Sequence, residues 1–347
     1  MKVSEPILIW GAGAIGGTLG AYWARAGVPV LLVDIAPEHV EACRTSGLSI
    51  TGPVEEFRQV VPAATPQELS GSYSRIVLAV KAGATEAALA ALTPHLAEDG
   101  FVLSAQNGLN EITIARAVGE ARTMGCFVNF GADWHGPGEI LYGNRGAVVV
   151  GELDGAMTDR AREMHRLLRL FEPDAILTDN IYGYLWGKLA YGAMLFGTAL
   201  TNDSMSANFA DPARLPVWLA LGREVGAVAA ARGVASLGFG DFDPKVFAPG
   251  APEGPQEKTI AWLADYTAKT AKTHSGIWRD LAVRKRRTEA RPQIGIISAL
   301  GREVGVATPA LTTLVTLIED IEEGRRPMAF ETLKVLIEQC RSVSMTV

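Results

Sequence analysis

Residues 6–17 read PILIWGAGAIGG, and residues 30–34 read VLLVD. An apolar run is thus followed by a glycine-rich turn, an alanine-rich segment and a second apolar run that ends in an acid. This order predicts strand, turn, helix and strand, which is the arrangement of a dinucleotide-binding unit. The acid follows the glycines by about 20 residues, the distance usual for a carboxylate that binds ribose.

Each glycine of the turn has its own predicted role. Gly11 permits the tight turn, Gly13 lets the backbone approach a pyrophosphate, and Gly16 lets the helix pack closely on the sheet. Ala14 and Ile15 open the helix, whose N-terminus would hold the pyrophosphate. The alternative is a turn whose glycines serve packing only, and it leaves the position of the acid unexplained.

Asp34 predicts which dinucleotide binds. A carboxylate at the end of this strand accepts hydrogen bonds from free ribose hydroxyl groups and repels a ribose phosphate. The next residues, Ile35 and Ala36, supply no cation for such a phosphate. We therefore expect a preference for NAD over NADP.

Composition limits the class of protein. The chain has 347 residues, more than one core usually holds, so two domains are expected. A formal charge of -6 and one short basic run, 284–287, argue against a nucleic-acid partner. Three scattered cysteines form no metal or disulfide pattern and suit a reducing cytoplasm. No export signal is recognisable, and the longest apolar window, 189–200, is too short for a bilayer crossing of about 20 residues.

Polar side chains follow the next two buried strands. An unbroken apolar run leads to Lys81, and the run at 101–104 leads to Gln106 and Asn107. Such runs are typical of strands that are buried on both faces of a parallel sheet. Because ligands bind at the carboxyl ends of these strands, Lys81 and Asn107 are expected at the cofactor crevice.

The pattern changes twice farther along the chain. Short strands separated by glycine and proline, over residues 124–151, predict an antiparallel extension of the sheet. From residue 180 onward, helical periodicity prevails. We therefore predict an α/β fold with a dinucleotide-binding Rossmann domain at 1–178, followed by an all-α domain at 179–347.

Helices of the second domain are predicted near residues 181–198, 211–232, 256–273, 291–304, 308–323 and 328–342. Thr308 supplies a predicted N-cap side chain, and Pro309 follows it at the first helical position. Segment 238–255 contains several glycines and prolines without a helical period. It is either an exposed connector, which we favour, or a flap over the cleft.

Lys188 is the first candidate for chemistry. It lies in an apolar stretch directly after the predicted domain boundary. A lysine there would be desolvated, so its ammonium group would give up a proton more readily. The competing interpretation is a lysine that extends from its helix to solvent. Its place beside the expected cleft favours the catalytic interpretation.

Several short elements together resemble the ketopantoate reductase family, within the 6-phosphogluconate dehydrogenase-like superfamily. They are the glycine loop at 11–17, Val80-Lys81-Ala82, Gln106-Asn107-Gly108, Trp186-Gly187-Lys188-Leu189 and Arg287-Thr288-Glu289. They occur in the family's order, and the resemblance covers nearly the whole chain. It implies a Rossmann domain followed by an all-helical domain.

The resemblance also implies roles for individual residues. Lys188 matches the catalytic lysine that protonates the carbonyl oxygen, and Glu289 matches the acid that binds the substrate hydroxyl. Asn107 matches the asparagine beside the nicotinamide, and Lys81 matches the lysine at the cofactor edge. Because reduction builds negative charge on oxygen, a nearby cation stabilises the transition state. An NAD(P)-dependent oxidoreductase with a small carbonyl or hydroxyl substrate and no metal is implied.

The chain departs from the family pattern where substrate is expected to bind. Two asparagines that follow the catalytic lysine are replaced, a carboxylate-binding serine is a glycine, and a smaller residue has become tryptophan. Each lost hydrogen-bond partner costs on the order of 1 to 3 kcal/mol for a polar substrate. We therefore expect a bulkier or less polar substrate than ketopantoate, with extra space at Gly192 and Gly197. The expected substrate-binding positions are Gly192, Phe196, Ser275, Gly276 and Trp278.

Two further interpretations stay open. The chain is alternatively a genuine 2-dehydropantoate 2-reductase with an unusual pocket, or a dinucleotide-binding sensor without chemistry. The presence of both Lys188 and Glu289 argues against a sensor. The resemblance also implies a homodimer, because the helical domain often dimerises in this family.

Overall fold

The computed structural model of the protein describes residues 5–270 and 272–344. The chain divides into two compact units, Met1–Tyr182 and Gly183–Val347, which we call the N-terminal and C-terminal units. The division falls within one helix, Ile181–Thr198.

The described part of the N-terminal unit contains two β-sheets. Its strands are β1 (Ile7–Trp10), β2 (Val30–Val33), β3 (Leu48–Thr51), β4 (Phe57–Gln59), β5 (Ala63–Ala64), β6 (Tyr73–Leu78), β7 (Leu96–Ser104), β8 (Thr123–Val128), β9 (Gly131–Gly136), β10 (Glu139–Asn144), β11 (Val148–Glu152) and β12 (Ile176–Leu177). The large sheet has the order β12-β11-β8-β7-β6-β1-β2-β5, and the small sheet has the order β4-β3-β10-β9.

The centre of the large sheet is parallel, as the apolar runs predict. Leu8 on β1 pairs with Leu31 on β2 and with Ile76 on β6. All four residues of β1 are buried, because helices cover both faces of such a sheet. The helices of this unit are α1 (Ala14–Arg25), α2 (Pro37–Thr45), α3 (Thr85–Leu92), α4 (Asn110–Val118) and α5 (Asp159–Leu168).

The antiparallel extension is confirmed for one pair of strands and differs for another. On β8 and β11, Cys126 and Val150 pair in antiparallel register within the large sheet. The hairpin of β9 and β10 instead joins the small sheet, where Ile140 pairs with Ile50 of β3. Gly17 on α1 allows this sheet to come close, since a Cβ there would lie 2.6 Å from Ile140 Cδ1. The hairpin therefore packs against α1 as part of the small sheet.

The described part of the C-terminal unit is helical. After α6 (Ile181–Thr198), it contains α7 (Met205–Ala210), α8 (Leu215–Ala231), α9 (Pro255–Lys269), α10 (Gly276–Trp278), α11 (Ile296–Glu303), α12 (Pro309–Glu322) and α13 (Phe330–Ser344). Two π-helical turns, Arg279–Val283 and Arg291–Gly295, follow α10 and precede α11. The α/β fold with a helical second half is therefore confirmed. Among the helices described, none has the length and apolar character of a membrane span.

Segment 238–254 is anchored in the C-terminal unit. Its side chains Phe242 and Phe247 are 2% and 1% exposed. Phe247 lies against α8, where a Cβ at Gly222 would come within 2.6 Å of its ring. The segment connects α8 to α9, as we favoured, but it is not exposed throughout, because Phe242 and Phe247 contribute to the core of this unit.

The first turn of α12 is capped from another helix. Thr308 makes no side-chain cap bond, and its hydroxyl instead donates to Ser298 Oγ at 2.9 Å. The N–H groups of Ala310 and Leu311 both donate to the Glu224 carboxylate at 2.8 Å. The prediction of Thr308 as the capping side chain is wrong, because the carboxylate on α8 satisfies these amides and opposes the positive end of the helix dipole.

Candidate cofactor and active site

The glycine loop joins β1 to α1 in a conformation that requires glycine at two positions. Gly11 has φ +98°, and a Cβ there would lie 2.9 Å from Val80 N. A Cβ at Gly16 would lie 2.0 Å from Gly11 O and 3.0 Å from Ile9 Cγ2. The turn at Gly11 and the close helix packing at Gly16 are therefore the geometry that the sequence predicts.

Gly13 differs from Gly11 and Gly16 because there is open space where a side chain would begin. A Cβ there would meet no described heavy atom within 4 Å. Gly13 is the N-cap of α1, no side chain of the described residues caps this helix, and Ala14 and Ile15 of its first turn are half-buried. Free amides at a helix N-terminus bind anions, so the loop can accept a pyrophosphate.

Asp34 lies at the end of β2, next to the glycine loop. Its Oδ2 accepts a hydrogen bond from Ala12 N at 2.9 Å, and its Oδ1 accepts one from Ala36 N at 3.0 Å. Each carboxylate oxygen has a second lone pair, so the group can also accept ribose hydroxyls. Ile35 beside it is 82% exposed.

Lys81 and Asn107 follow the carboxyl ends of adjacent strands. Leu78 of β6 pairs with Ser104 of β7 in parallel register, so the loops after both strands leave the same edge of the sheet. Both Lys81 and Asn107 are exposed. The structure thus brings these two predicted residues to one edge of the sheet.

A buried polar network supports the Asn107 loop. Gln106 Nε2 donates to Val80 O and to Thr85 Oγ1, each at 2.8 Å. Asn110 Nδ2 donates to Asn107 O at 2.8 Å. Thr85 and Asn110 were missed by the sequence analysis, although Asn110 lies three residues after Asn107 at the start of a helix. These bonds hold the loops after β6 and β7 together.

Glu111 is a buried acid in the same region. It is fully buried on α4, and its carboxylate oxygens have no hydrogen-bond partner among the described residues. Burial raises the pKa of Glu111 to about 8. The side chain is therefore mainly protonated and neutral at pH 7.

One side of α6 carries Lys188 and Gly192. Both are half-buried, as are Tyr184 and Leu195, which lie at helical spacing on the same side. A Cβ at Gly192 would meet no described heavy atom within 4 Å, as expected for open space. Phe196 is 3% exposed and belongs mainly to the core.

Gly197 does not open space on this helix. A Cβ there would lie 2.7 Å from Trp218 Cζ3 and 3.3 Å from Leu221 Cδ1. The space expected beside Gly197 is therefore filled by two side chains of α8, and that part of the prediction is wrong. Of the two glycines at which extra space was predicted, only Gly192 has open space at its Cβ position.

The segment before Glu289 uses several of its polar groups internally. Ser275 caps α10, accepting a hydrogen bond from Trp278 N at 3.1 Å. The indole of Trp278 donates to Asn202 Oδ1 at 3.2 Å and stacks on His274 with 4.1 Å between ring centroids. Gly276, between them, has open space at its Cβ direction among the described atoms. Ser275 itself is 2% exposed.

Glu289 is half-buried and lies just before the second π-helical turn. The preceding Thr288 is fixed by Glu322, whose Oε1 accepts hydrogen bonds from its N–H at 2.6 Å and its hydroxyl at 2.7 Å. Arg291 forms a two-bond ion pair with Glu319 at 2.6 and 2.7 Å. The bond from Thr288 N holds the backbone directly before Glu289.

Two family models match the chain. The model described as ketopantoate reductase PanE/ApbA matches residues 7–155, and the model described as its C terminal matches residues 180–322. The chain belongs to the ketopantoate reductase family. It is an NAD(P)-dependent oxidoreductase of ketopantoate reductase type.

Individual proteins show the same relationship. A 2-dehydropantoate 2-reductase of Mesorhizobium japonicum is 30% identical over 228 residues, which cover 59% of this chain and 70% of that protein. The 2-dehydropantoate 2-reductase of Archaeoglobus fulgidus is 26% identical over 329 residues, 93% of this chain and 100% of that protein.

Solved structures share the fold. D-mandelate dehydrogenase, in a ternary structure with NADH and anilino(oxo)acetate, aligns with a TM-score of 0.78 at 24% identity, covering 92% of this chain and 99% of that chain. A ketopantoate reductase of Ralstonia eutropha JMP134 aligns with a TM-score of 0.76 at 25% identity, with the same coverage.

Proposed function

We propose that this enzyme transfers hydride between NAD and a ketone or 2-oxo acid other than ketopantoate, or the corresponding alcohol. The position of the Asp34 carboxylate carries the choice of NAD. A ribose phosphate at the end of β2 would meet this negative charge and the exposed Ile35, whereas ribose hydroxyls would find acceptors. A protein of the same fold that was solved with NADH, D-mandelate dehydrogenase, supports this choice.

The proposed chemistry follows from residue types and from the family. NAD, when bound, supplies or accepts the hydride. Lys188 holds a proton for the substrate oxygen, Glu289 binds a substrate hydroxyl, and Asn107 positions the nicotinamide. The hydrogen bonds to the Asn107 carbonyl and from the Thr288 amide support these roles, because they hold the backbone at Asn107 and directly before Glu289.

The departures from the family pattern support a less polar substrate. Gly192 offers space but no hydrogen-bonding side chain. Polar groups of a substrate such as ketopantoate would lack hydrogen-bond partners here. Each unpaired group would weaken binding by about 1 to 3 kcal/mol.

The second candidate is a genuine 2-dehydropantoate 2-reductase. It is favoured by the curated relatives from Mesorhizobium japonicum and Archaeoglobus fulgidus, which carry that name. Steady-state assays of ketopantoate with NADH and with NADPH separate the two candidates. Efficient ketopantoate turnover would remove the proposal of a different substrate, and tighter binding of NADPH than of NADH would remove the role given to Asp34.

Replacing Lys188 tests the catalytic proposal. We expect Lys188→Ala to lower kcat by about 10²- to 10⁴-fold, because the proton donor to the substrate oxygen is lost. Lys334→Ala is the matched control, since Lys334 lies exposed on α13. Unchanged activity in the Lys188 variant would overturn the role given to Lys188. A wild-type protein that binds NADH in calorimetry but turns over no carbonyl or alcohol substrate would instead favour a sensor.

We also propose a cytoplasmic homodimer. A ketopantoate reductase of Staphylococcus aureus with this fold is described as dimeric. Size-exclusion chromatography with light scattering is expected to give twice the 36.9 kDa of the chain. A mass near that of one chain would contradict the homodimer without bearing on the chemistry.

A further inference from the structure

His39 is a buried histidine that contacts the glycine loop. It lies on α2 and is 1% exposed. Its Nε2 lies 2.8 Å from Ala12 O, and its Nδ1 lies 2.9 Å from Gly138 N in the turn between β9 and β10. The indole Nε1 of Trp134 lies 3.4 Å from the same Nδ1. The imidazole thus connects the loop to the small sheet.

The partners of His39 determine which nitrogen carries the proton. The amide of Gly138 and the indole of Trp134 can only donate, so Nδ1 must be unprotonated. The hydrogen therefore lies on Nε2, which donates to Ala12 O. Cys43 Sγ, 3.7 Å from Nε2, stays a neutral thiol because burial raises its pKa to about 12. His39 is a neutral imidazole in one tautomer.

The two peptide groups of Ala12 are held by different side chains. Asp34 Oδ2 accepts from Ala12 N and fixes the peptide plane between Gly11 and Ala12. His39 donates to Ala12 O and fixes the plane between Ala12 and Gly13. In a planar trans peptide the N–H points opposite to the C=O. The bond from His39 to Ala12 O therefore directs the Gly13 N–H away from the imidazole.

We propose that His39 is a positioning residue for cofactor binding. Through its bond to Ala12 O, it aims the Gly13 amide at the dinucleotide pyrophosphate. This inference rests on the proposed function, because it takes the glycine loop as the cofactor site. The open space at the Cβ direction of Gly13 is where a pyrophosphate can approach. The turn at Pro137 and Gly138 holds the imidazole in place, because the Gly138 amide donates to Nδ1. Gly138 has φ +73°, which suits the second central position of a type II turn.

Two substitutions separate the contacts of His39. Glutamine places a donor near the position of Nε2 and can keep the bond to Ala12 O. Asparagine places an acceptor near the position of Nδ1 and can keep the bond to Gly138 while losing Ala12. We expect His39→Asn to weaken NADH binding, measured by calorimetry, by about tenfold, and His39→Gln to stay within about threefold of wild type. His135→Asn, at an exposed histidine on β9, is the control and should bind as wild type.

The outcomes distinguish this inference from the proposed function. If wild type binds neither NADH nor NADPH, the proposed function fails. If wild type binds NADH and His39→Asn binds equally well, or if the Gln and Asn variants lose affinity alike, the positioning role is overturned. Should the variants fail to fold, nitrogen-15 NMR of wild-type His39 decides: a proton on Nε2 is expected, and a proton on Nδ1 overturns the inference.

Discussion

Ile35 is the residue at which cofactor preference can be changed without disturbing the loop. Asp34 is unsuitable, because its carboxylate also accepts the Ala12 amide. Ile35 is 82% exposed, so a new side chain there displaces no core. We expect Ile35→Arg to tighten NADPH binding by about tenfold and to leave NADH binding nearly unchanged, since only NADPH carries the ribose phosphate.

Calorimetric titrations with both dinucleotides measure this effect. Ile35→Gln is the matched control, because it adds length and polarity without charge. The gain for the arginine variant should shrink at high ionic strength, as it does for exposed charges. Equal gains for arginine and glutamine would show that charge does not govern the preference.

At the scale of elements, two of the four glycines of α6, Gly192 and Gly197, are predicted to respond oppositely to the same substitution. Gly197→Ala would force a Cβ to 2.7 Å from Trp218 and should destabilise the protein by about 1 to 3 kcal/mol. Gly192→Ala meets open space and should stabilise it by about 0.5 to 1 kcal/mol through helix propensity. Thermal unfolding of both variants checks this, and similar melting temperatures would contradict the packing of α6 on α8.

A second element-level prediction concerns the start of α12. Glu224→Ala removes a carboxylate that accepts two amides at the helix N-terminus, and should lower the free energy of unfolding by about 1 to 2 kcal/mol. Thr308→Ser keeps the hydroxyl that bonds Ser298 and serves as the control. Urea unfolding compares them, and a Glu224→Ala variant as stable as wild type would contradict the capping role of Glu224.

At the scale of the whole molecule, Glu111 makes stability depend on pH. Its pKa is raised from 4.5 to about 8 because the carboxyl is buried. Between these values the unfolded chain has lost the proton and the folded chain keeps it, so stability falls as pH rises. The full loss is reached above pH 8 and amounts to at most about 5 kcal/mol for a shift of this size.

Glu111→Gln removes this titration. We expect its free energy of unfolding, relative to wild type, to increase steadily between pH 5 and pH 8.5, because only wild type loses stability there. Glu120→Gln, at an exposed acid of the same unit, should show no such trend. Denaturant unfolding at several pH values measures it, and a pH-independent difference would mean that Glu111 ionises as an ordinary carboxyl.

Much of the fold could be predicted because its signals are local. The run from Ile7 to Asp34 contains the strand, the turn glycines and the acid, and its conformation depends on neighbours a few residues away. Apolar runs predicted the parallel strands before Lys81 and Asn107, and helical periodicity predicted the second half. These are properties of residue spacing, so the sequence by itself determined the fold class and the position of the glycine loop.

Only the tertiary structure decided which distant groups meet. Glu224 caps a helix that begins at Pro309, and the β9–β10 hairpin pairs with β3 rather than the large sheet. His39 reaches Gly138, although no pattern in the chain links the two. Trp218 of α8 likewise fills the space beside Gly197 of α6. Such contacts depend on how whole elements pack, and residue spacing along one element carries no information about the side chains of another.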